Sequence, residues 1–226
     1  MAERCLLYYI TDRSQFRGDE SVRRRELLTK VVEAARACVD YIQLREKDLS
    51  TRELEMLARD VLSAVRNSAP LRTENRELRT RLLINSRIDV ALAVGAGGVH
   101  LRADDVAPHE VRHVLEVSAH RPLTTDHFLV AASCHTAADV FRAESEKVDF
   151  AVFAPVFGKR GAAGTPPAGL TALQEACRAK IPVLALGGVT IENAASCLKS
   201  GAAGVAGIRL FQENNIDEVV RALRAL

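Results

Sequence analysis

The chain contains no tryptophan, and aromatic residues occupy only 4% of its 226 positions. Stacking of nucleobases on aromatic side chains is therefore not a theme of this protein. Neither sign of charge dominates. Lys and Arg number 31 against 29 Asp and Glu, a formal net charge of +2, which does not suggest nucleic acid or a membrane surface as the partner. Five cysteines, Cys5, Cys38, Cys134, Cys177 and Cys197, lie far apart and form no C-x-x-C pair. They read as buried thiols of a reducing compartment, not as zinc ligands or a disulfide framework. No apolar run reaches the ~20 residues that span a bilayer. The chain opens on a strand-like run without the regions of a signal peptide. The expectation is a cytoplasmic protein that binds neither nucleic acid nor membrane.

What is present is a regular alternation. Hydrophobic residues make up 48% of the chain and charged residues 27%, ample for one large core. Strand-like runs are expected at Cys5–Ile10, Tyr41–Leu44, Arg81–Asn85, Gly98–Leu101, Phe128–Cys134, Phe150–Pro155, Ile181–Leu186 and Gly204–Arg209. Between them fall stretches of helical spacing: Glu20–Cys38, Ser50–Ala69, Ile88–Val94, Pro108–Ser118, Thr136–Glu146, Leu170–Ala179, Ile191–Ser200 and, last, Ile216–Leu226. Ser50 with Glu53 forms a capping-box pattern, while Gly95 and Gly201 are stop signals. Eight such units in 226 residues predict a single α/β domain over residues 1–226, a closed (β/α)8 TIM barrel. A doubly wound open sheet is the alternative. Leu71–Arg81 reads as a surface connection and Arg121–Asp126 as a loop.

The anchor of this pattern is Ile181–Arg209. A wholly apolar strand, Ile181–Leu186, stops at Gly187-Gly188; a helix follows; the next strand ends in Gly204-Val205-Ala206-Gly207-Ile208-Arg209. Glycine lets a backbone turn sharply and a ligand approach its amides. Two adjacent amide-rich turns beside a helix start can hold a phosphate, as the loops after the last two strands of such barrels commonly do. The alternative is that these glycines only let helices pack on strands.

In a parallel barrel, residues just past the strand ends share one rim. Gln43, Arg45 and Lys47 follow the second strand and would share a direction if the run stays extended. Asn85-Ser86-Arg87 follows the third strand, and His100-Leu101-Arg102-Ala103-Asp104-Asp105 the fourth. Ser133-Cys134-His135 ends the fifth, and a Gly/Pro-rich loop with Lys159 and Arg160 follows the sixth. Cations together with a carboxylate suit a diphosphate with Mg²⁺, which usually binds through one or two carboxylates plus phosphate oxygens. Taken singly, each residue has a plainer explanation. Arg45 and Lys47 can be surface charges, Asp104-Asp105 a helix cap, His135 a helix-start residue and His100 a satisfied, partly buried histidine.

Over nearly its whole length the chain resembles the thiamine phosphate synthase and thiazole tautomerase family. The resemblance rests on Tyr9-Ile10-Thr11-Asp12, Gln43-Leu44-Arg45-Glu46-Lys47, Ile84-Asn85-Ser86-Arg87, Gly98-Val99-His100-Leu101, Ser133-Cys134-His135-Thr136, Ala154-Pro155-Val156-Phe157, Leu186-Gly187-Gly188-Val189 and Gly204-Val205-Ala206-Gly207-Ile208. It implies a transferase that joins hydroxymethylpyrimidine diphosphate to hydroxyethylthiazole phosphate and releases diphosphate. Gln43 would touch the pyrimidine. Arg45, Lys47, Asn85, Ser133 and Lys159 would hold the diphosphate, with Arg45 and Lys159 assisting its departure. Asp105 would bind Mg²⁺, with Ser86 at the second metal position. Amides around Gly187, Gly188, Ile208 and Arg209 would hold the thiazole phosphate. The chain departs from the family pattern at Ser86, where synthases carry Asp, at Arg102-Ala103, where they carry Gly-Gln, and in the loop after the sixth strand. His135 matches the proton-transfer position of thiazole tautomerases, which is the alternative activity; a non-catalytic binder of phosphorylated thiamine precursors is a third. The resemblance also implies a homo-oligomer.

Overall fold

The computed structural model describes residues 4–68, 80–117, 127–158 and 166–226. Its strands are β1 (Leu6–Ile10), β2 (Tyr41–Leu44), β3 (Arg81–Asn85), β4 (Gly98–Leu101), β5 (Leu129–Cys134), β6 (Phe150–Phe153), β7 (Val183–Ala185) and β8 (Gly204–Gly207). They pair in sequence order, all parallel, and β8 returns to β1 to close the barrel. The open-sheet alternative is thereby excluded. Around the strands lie α1 (Glu20–Arg36), α2 (Thr51–Ser68), α3 (Ile88–Val94), α4 (Pro108–Val117), α5 (Ala137–Ser145), α6 (Gly169–Ala176), α7 (Ile191–Lys199), α8 (Arg209–Gln212) and α9 (Ile216–Arg224). The connections expected at Leu71–Arg81 and Arg121–Asp126 fall mostly or wholly outside the described residues.

Strand alternation splits the core into two layers. Leu7, Tyr9, Ile42, Leu82, Ile84 and Val205 face outward and pack under the helices. Tyr8, Ile10, Leu83, Ala131, Phe150, Val152, Leu184 and Ala206 fill the barrel. Three of the few aromatics, Tyr8, Tyr41 and Phe150, lie there. Tyr41 stacks on Phe150 with ring centroids 4.8 Å apart, and Tyr8 sets its edge against both rings. This aromatic layer is the floor beneath the barrel mouth, and the Tyr8 hydroxyl rises from it.

Closure depends on missing side chains. A Cβ on Gly204 would lie 2.0 Å from the Leu6 carbonyl oxygen, and one on Gly98 would lie 2.3 Å from that of Leu129. The strand expected to run to Arg209 instead ends at Gly207. Leu210 and Phe211 are buried, and burying them turns the chain into the one-turn helix α8. Four helices end with a residue of left-handed φ, the geometry that satisfies their last carbonyls. After α3 and α7 that residue is Gly95 or Gly201; after α1 and α5 it is Cys38 (φ 58°) or Lys147 (φ 59°). The Ser50–Glu53 capping box forms as expected. Among the described residues no helix is long and apolar enough to cross a membrane. All five cysteines are free thiols; Cys5, Cys134 and Cys197 are buried, whereas Cys38 and Cys177 are only half-buried.

Two substitutions test this account by urea unfolding. Gly204→Ala forces a methyl into the β1 backbone and is expected to lower stability by about 3 kcal/mol or more. Exposed Lys147→Gly relieves the left-handed strain and is expected to raise it by about 1 kcal/mol.

Candidate active site

Because every strand is parallel, the C-terminal ends of all eight open on one mouth. The inward parity of β1, β2, β4 and β5 brings four polar side chains together just above the aromatic floor. Gln43 Nε2 donates to the Tyr8 hydroxyl at 3.0 Å. That hydroxyl lies 3.2 Å from His100 Nδ1, and His100 Nε2 lies 2.8 Å from Ser133 Oγ. Gln43, Tyr8 and His100 are buried, and Ser133 at the end of the row is half-buried. Burial lowers the His100 pKa to about 3, with nearby Asp105 and Arg45 as lesser influences of opposite sign. The ring is neutral, and burial likewise holds the Tyr8 phenol protonated, well above its usual pKa.

The cation-bearing segment after β2 is held from behind. Glu46 turns away from the mouth and is almost wholly buried. Its carboxylate accepts from the Thr11 hydroxyl at 2.6 Å, the Arg13 amide at 3.0 Å and Arg13 Nη1 at 3.1 Å. Thr11 Oγ1 in turn accepts the Arg45 amide at 3.0 Å. Arg13, also buried, extends to Asp48 through two bonds of 2.7 and 2.9 Å and to Glu20 at 2.9 Å. Asp12 bonds Gln212 of α8 through both its amide and its carbonyl. Residues 11–13 thus tie the loop after β2 to the turn after β8. The backbone bends after Glu46, leaving Arg45 half-buried beside His100 and Lys47 exposed in the turn.

On the opposite side, Gly187 and Gly188 take left-handed φ of 96° and 65°. A Cβ on either would press within 2.8 Å of Pro155 or Phe157. The segment after β6 is zipped to this turn by Val156 N–H to Leu186 O and Phe157 N–H to Gly187 O. Asn193 of α7 fixes the turn from below, donating to Gly188 O at 2.9 Å and accepting from Thr190 N at 2.8 Å. Among the described residues the amides of Gly187 and Gly188 carry no backbone hydrogen bond, so they are available to an anion. Ile208 packs against the barrel interior and Arg209 is exposed at the start of α8.

Between these sides lie the remaining rim residues. Asn85 pairs in register with His100 and donates to Ser86 Oγ at 3.0 Å. Ser86 itself holds φ of 60°, and its amide donates to the His100 carbonyl. Asp105 is not a helix cap: its carboxylate accepts the Arg102 amide at 2.7 Å and lies 3.4 Å from Arg102 Nε, while Asp104 takes the other end of that guanidinium at 2.8 Å. His135 sits exposed on the rim, with Nδ1 2.7 Å from the Ala154 carbonyl. A carbonyl only accepts, so Nδ1 carries a proton there, and a neutral ring would keep its lone pair on Nε2. Lys159 lies outside the described residues. Among those described, no group of three or more His, Cys, Asp or Glu stands ready to hold a metal. One carboxylate and a hydroxyl, Asp105 and Ser86, are hard oxygen donors. Such donors are of the kind Mg²⁺ takes, and phosphate oxygens and water would have to complete any site built on them.

Sequence reasoning singled out the cations and glycines but passed over Tyr8, His100 as a hub, and the Thr11–Arg13–Glu46 cluster. The inward parity of Tyr8, Gln43, His100 and Ser133 was the available signal for the first group. Nothing local marks Arg13 as the partner of Glu46.

The geometry defines a class: a (β/α)8 barrel enzyme whose C-terminal mouth gathers cations, a carboxylate, a buried polar row and exposed amide turns. A family model described as thiamine monophosphate synthase matches residues 7–211. A putative thiamine-phosphate synthase 2 of Aquifex aeolicus is 38% identical over 208 residues, which is 92% of this chain and 97% of that protein. The thiamine-phosphate synthase of Syntrophomonas wolfei is 35% identical over 223 residues, 97% of this chain and 95% of that one. Among solved structures, thiamine phosphate pyrophosphorylase from Pyrococcus furiosus matches with a TM-score of 0.74 at 26% identity, covering 99% of this chain and 95% of that one. The chain belongs to the thiamine monophosphate synthase family.

Removing Glu46 leaves Arg13 buried with only its more exposed partners. Glu46→Ala is expected to cost about 3–5 kcal/mol of stability, and the paired change Arg13→Met/Glu46→Leu should recover most of it. Denaturant unfolding decides; a Glu46→Ala loss below about 1 kcal/mol would refute the clamp.

Proposed function

We propose that the protein is a thiamine phosphate synthase, coupling hydroxymethylpyrimidine diphosphate to hydroxyethylthiazole phosphate with release of diphosphate. The observation that carries this reading is a single mouth with cations and a buried polar row on one side and glycine amides on the other. That suits two phosphorylated heterocycles bound face to face. Family membership and relatives named thiamine-phosphate synthase support it.

The chemistry follows from charge. The bond from the pyrimidine methylene carbon to the diphosphate oxygen breaks, and positive charge develops on the pyrimidine. The thiazole ring nitrogen supplies the electron pair for the new C–N bond. Arg45, Lys47 and Lys159 are assigned to neutralising the departing diphosphate, with Asn85 and Ser133 binding its oxygens; preorganised cations act most strongly where water is excluded. Gln43 orients the pyrimidine. The amides of Gly187, Gly188, Ile208 and Arg209 hold the thiazole phosphate and so align its ring nitrogen. Asp105, with Ser86, would hold Mg²⁺, and that ion when bound offsets leaving-group charge. Arg102 must then release Asp105, which ties metal affinity to the presence of diphosphate.

One observation favours a second reading. His135 stands exposed at the rim with its Nδ1 anchored on the Ala154 carbonyl, a position from which Nε2 could take and give a proton on a thiazole, so a thiazole tautomerase is the alternative.

Incubation with both substrates distinguishes them. A synthase forms thiamine phosphate, stops when Mg²⁺ is chelated, and loses about 10²–10³-fold in kcat on Arg45→Ala, while His135→Ala leaves it nearly unchanged. A tautomerase forms no coupled product, ignores chelation and is lost with His135→Ala. Calorimetry should also show Mg²⁺ binding far more tightly with inorganic diphosphate present than without it.

A further inference from the structure

We propose that Tyr8 and His100 are positioning residues that set the direction of the hydrogen bonds in the buried row, so that Ser133 offers its hydroxyl proton and Gln43 its carbonyl oxygen to the ligand. The direction follows from donor counting. Gln43 spends an amide N–H on the Tyr8 oxygen. Tyr8 has one proton, and the atom left to receive it is His100 Nδ1 at 3.2 Å. A neutral imidazole whose Nδ1 accepts carries its hydrogen on Nε2, and that hydrogen goes to Ser133 Oγ at 2.8 Å. With its oxygen engaged from behind, Ser133 has its own proton free to donate toward the mouth. At the other end, the Gln43 carbonyl oxygen is not consumed by the row. The buried site is thereby polarised: one end gives a proton, the other accepts one.

Tyr8 can do this because its ring packs edge-on against the stacked Tyr41 and Phe150 rings, which fix where the hydroxyl stands. The reading of what is recognised rests on the proposed synthase activity. Ser133 would then donate to a diphosphate oxygen as charge builds there, and Gln43 would accept from the exocyclic amine of the aminopyrimidine. A ligand with the opposite pattern would leave buried polar groups unpaired, which costs more than a hydrogen bond gains.

The test has two arms on the full chain. Nitrogen-15 NMR, with the His100 resonances assigned by their loss in His100→Asn, reads the tautomer without any turnover. The Nε2–H form is expected, and the Nδ1–H form would overturn the proposal. Tyr8→Phe keeps the ring packing and removes the relay. It should let the two His100 tautomers mix and lower kcat about tenfold or more, with KM for the thiazole phosphate unchanged. A Tyr8→Phe protein that merely unfolds more easily, with wild-type tautomer and kcat, would show the row to be structural only. Should the wild-type chain make no thiamine phosphate at all, the synthase reading fails on its own and the tautomer result still decides the polarity.

Discussion

The pairing of the first strand with the last is the constraint on which the remainder depends. Leu6 to Tyr9 lie in register against Gly204 to Gly207. That contact converts eight consecutive strand-helix units into a ring with a single functional end. It is possible because β8 brings almost no side-chain bulk to the seam, with Gly204 set against the Leu6 backbone. Were the sheet open, residues after β2 and residues after β7 would lie on distant edges. Closed, they face each other across one mouth.

Within that ring, two polar systems of different character do different jobs. The Arg13–Glu46 pair is charged, lies outside the barrel wall, and ties the loop after β1 to the loop after β2. Taking both ions from water is costly, and its return is a defined loop geometry more than raw stability. The Gln43–Tyr8–His100–Ser133 row is uncharged and lies inside the wall. Burial itself keeps it uncharged, since a protonated His100 would sit in an apolar cylinder. The first system brings cations to the rim; the second offers directed hydrogen bonds beside them. Such a division keeps the strong charges at the rim and an uncharged row beneath them.

The glycine turns on the other side work by a different means. They supply no charge and no side chain, only amides whose direction is imposed by left-handed backbone and by contact with Pro155 and Phe157. Because only backbone amides are on offer there, the proposed phosphate site would accept Arg209 as readily as a smaller residue.

Much of this was legible in the amino-acid order alone. Eight apolar runs alternating with helical spacing specify a barrel, because a buried parallel strand must be apolar on both faces and each crossover needs a helix. Helix stops at Gly95 and Gly201, the Ser50–Glu53 cap, and the rim positions of Gln43, Arg45, Asn85, Asp105 and Gly188 follow from short-range rules. Strand ends did not, for α8 replaces extended chain only because Leu210 and Phe211 find a buried place. Which residues meet was decided by tertiary structure. Arg13 and Glu46 are 33 positions apart, and Tyr8 and His100 are 92 apart. No local pattern joins such pairs, because their encounter requires the ring to close first; only then do burial and distance determine that one histidine, His100, is a neutral link in a row while another, His135, lies exposed on the rim.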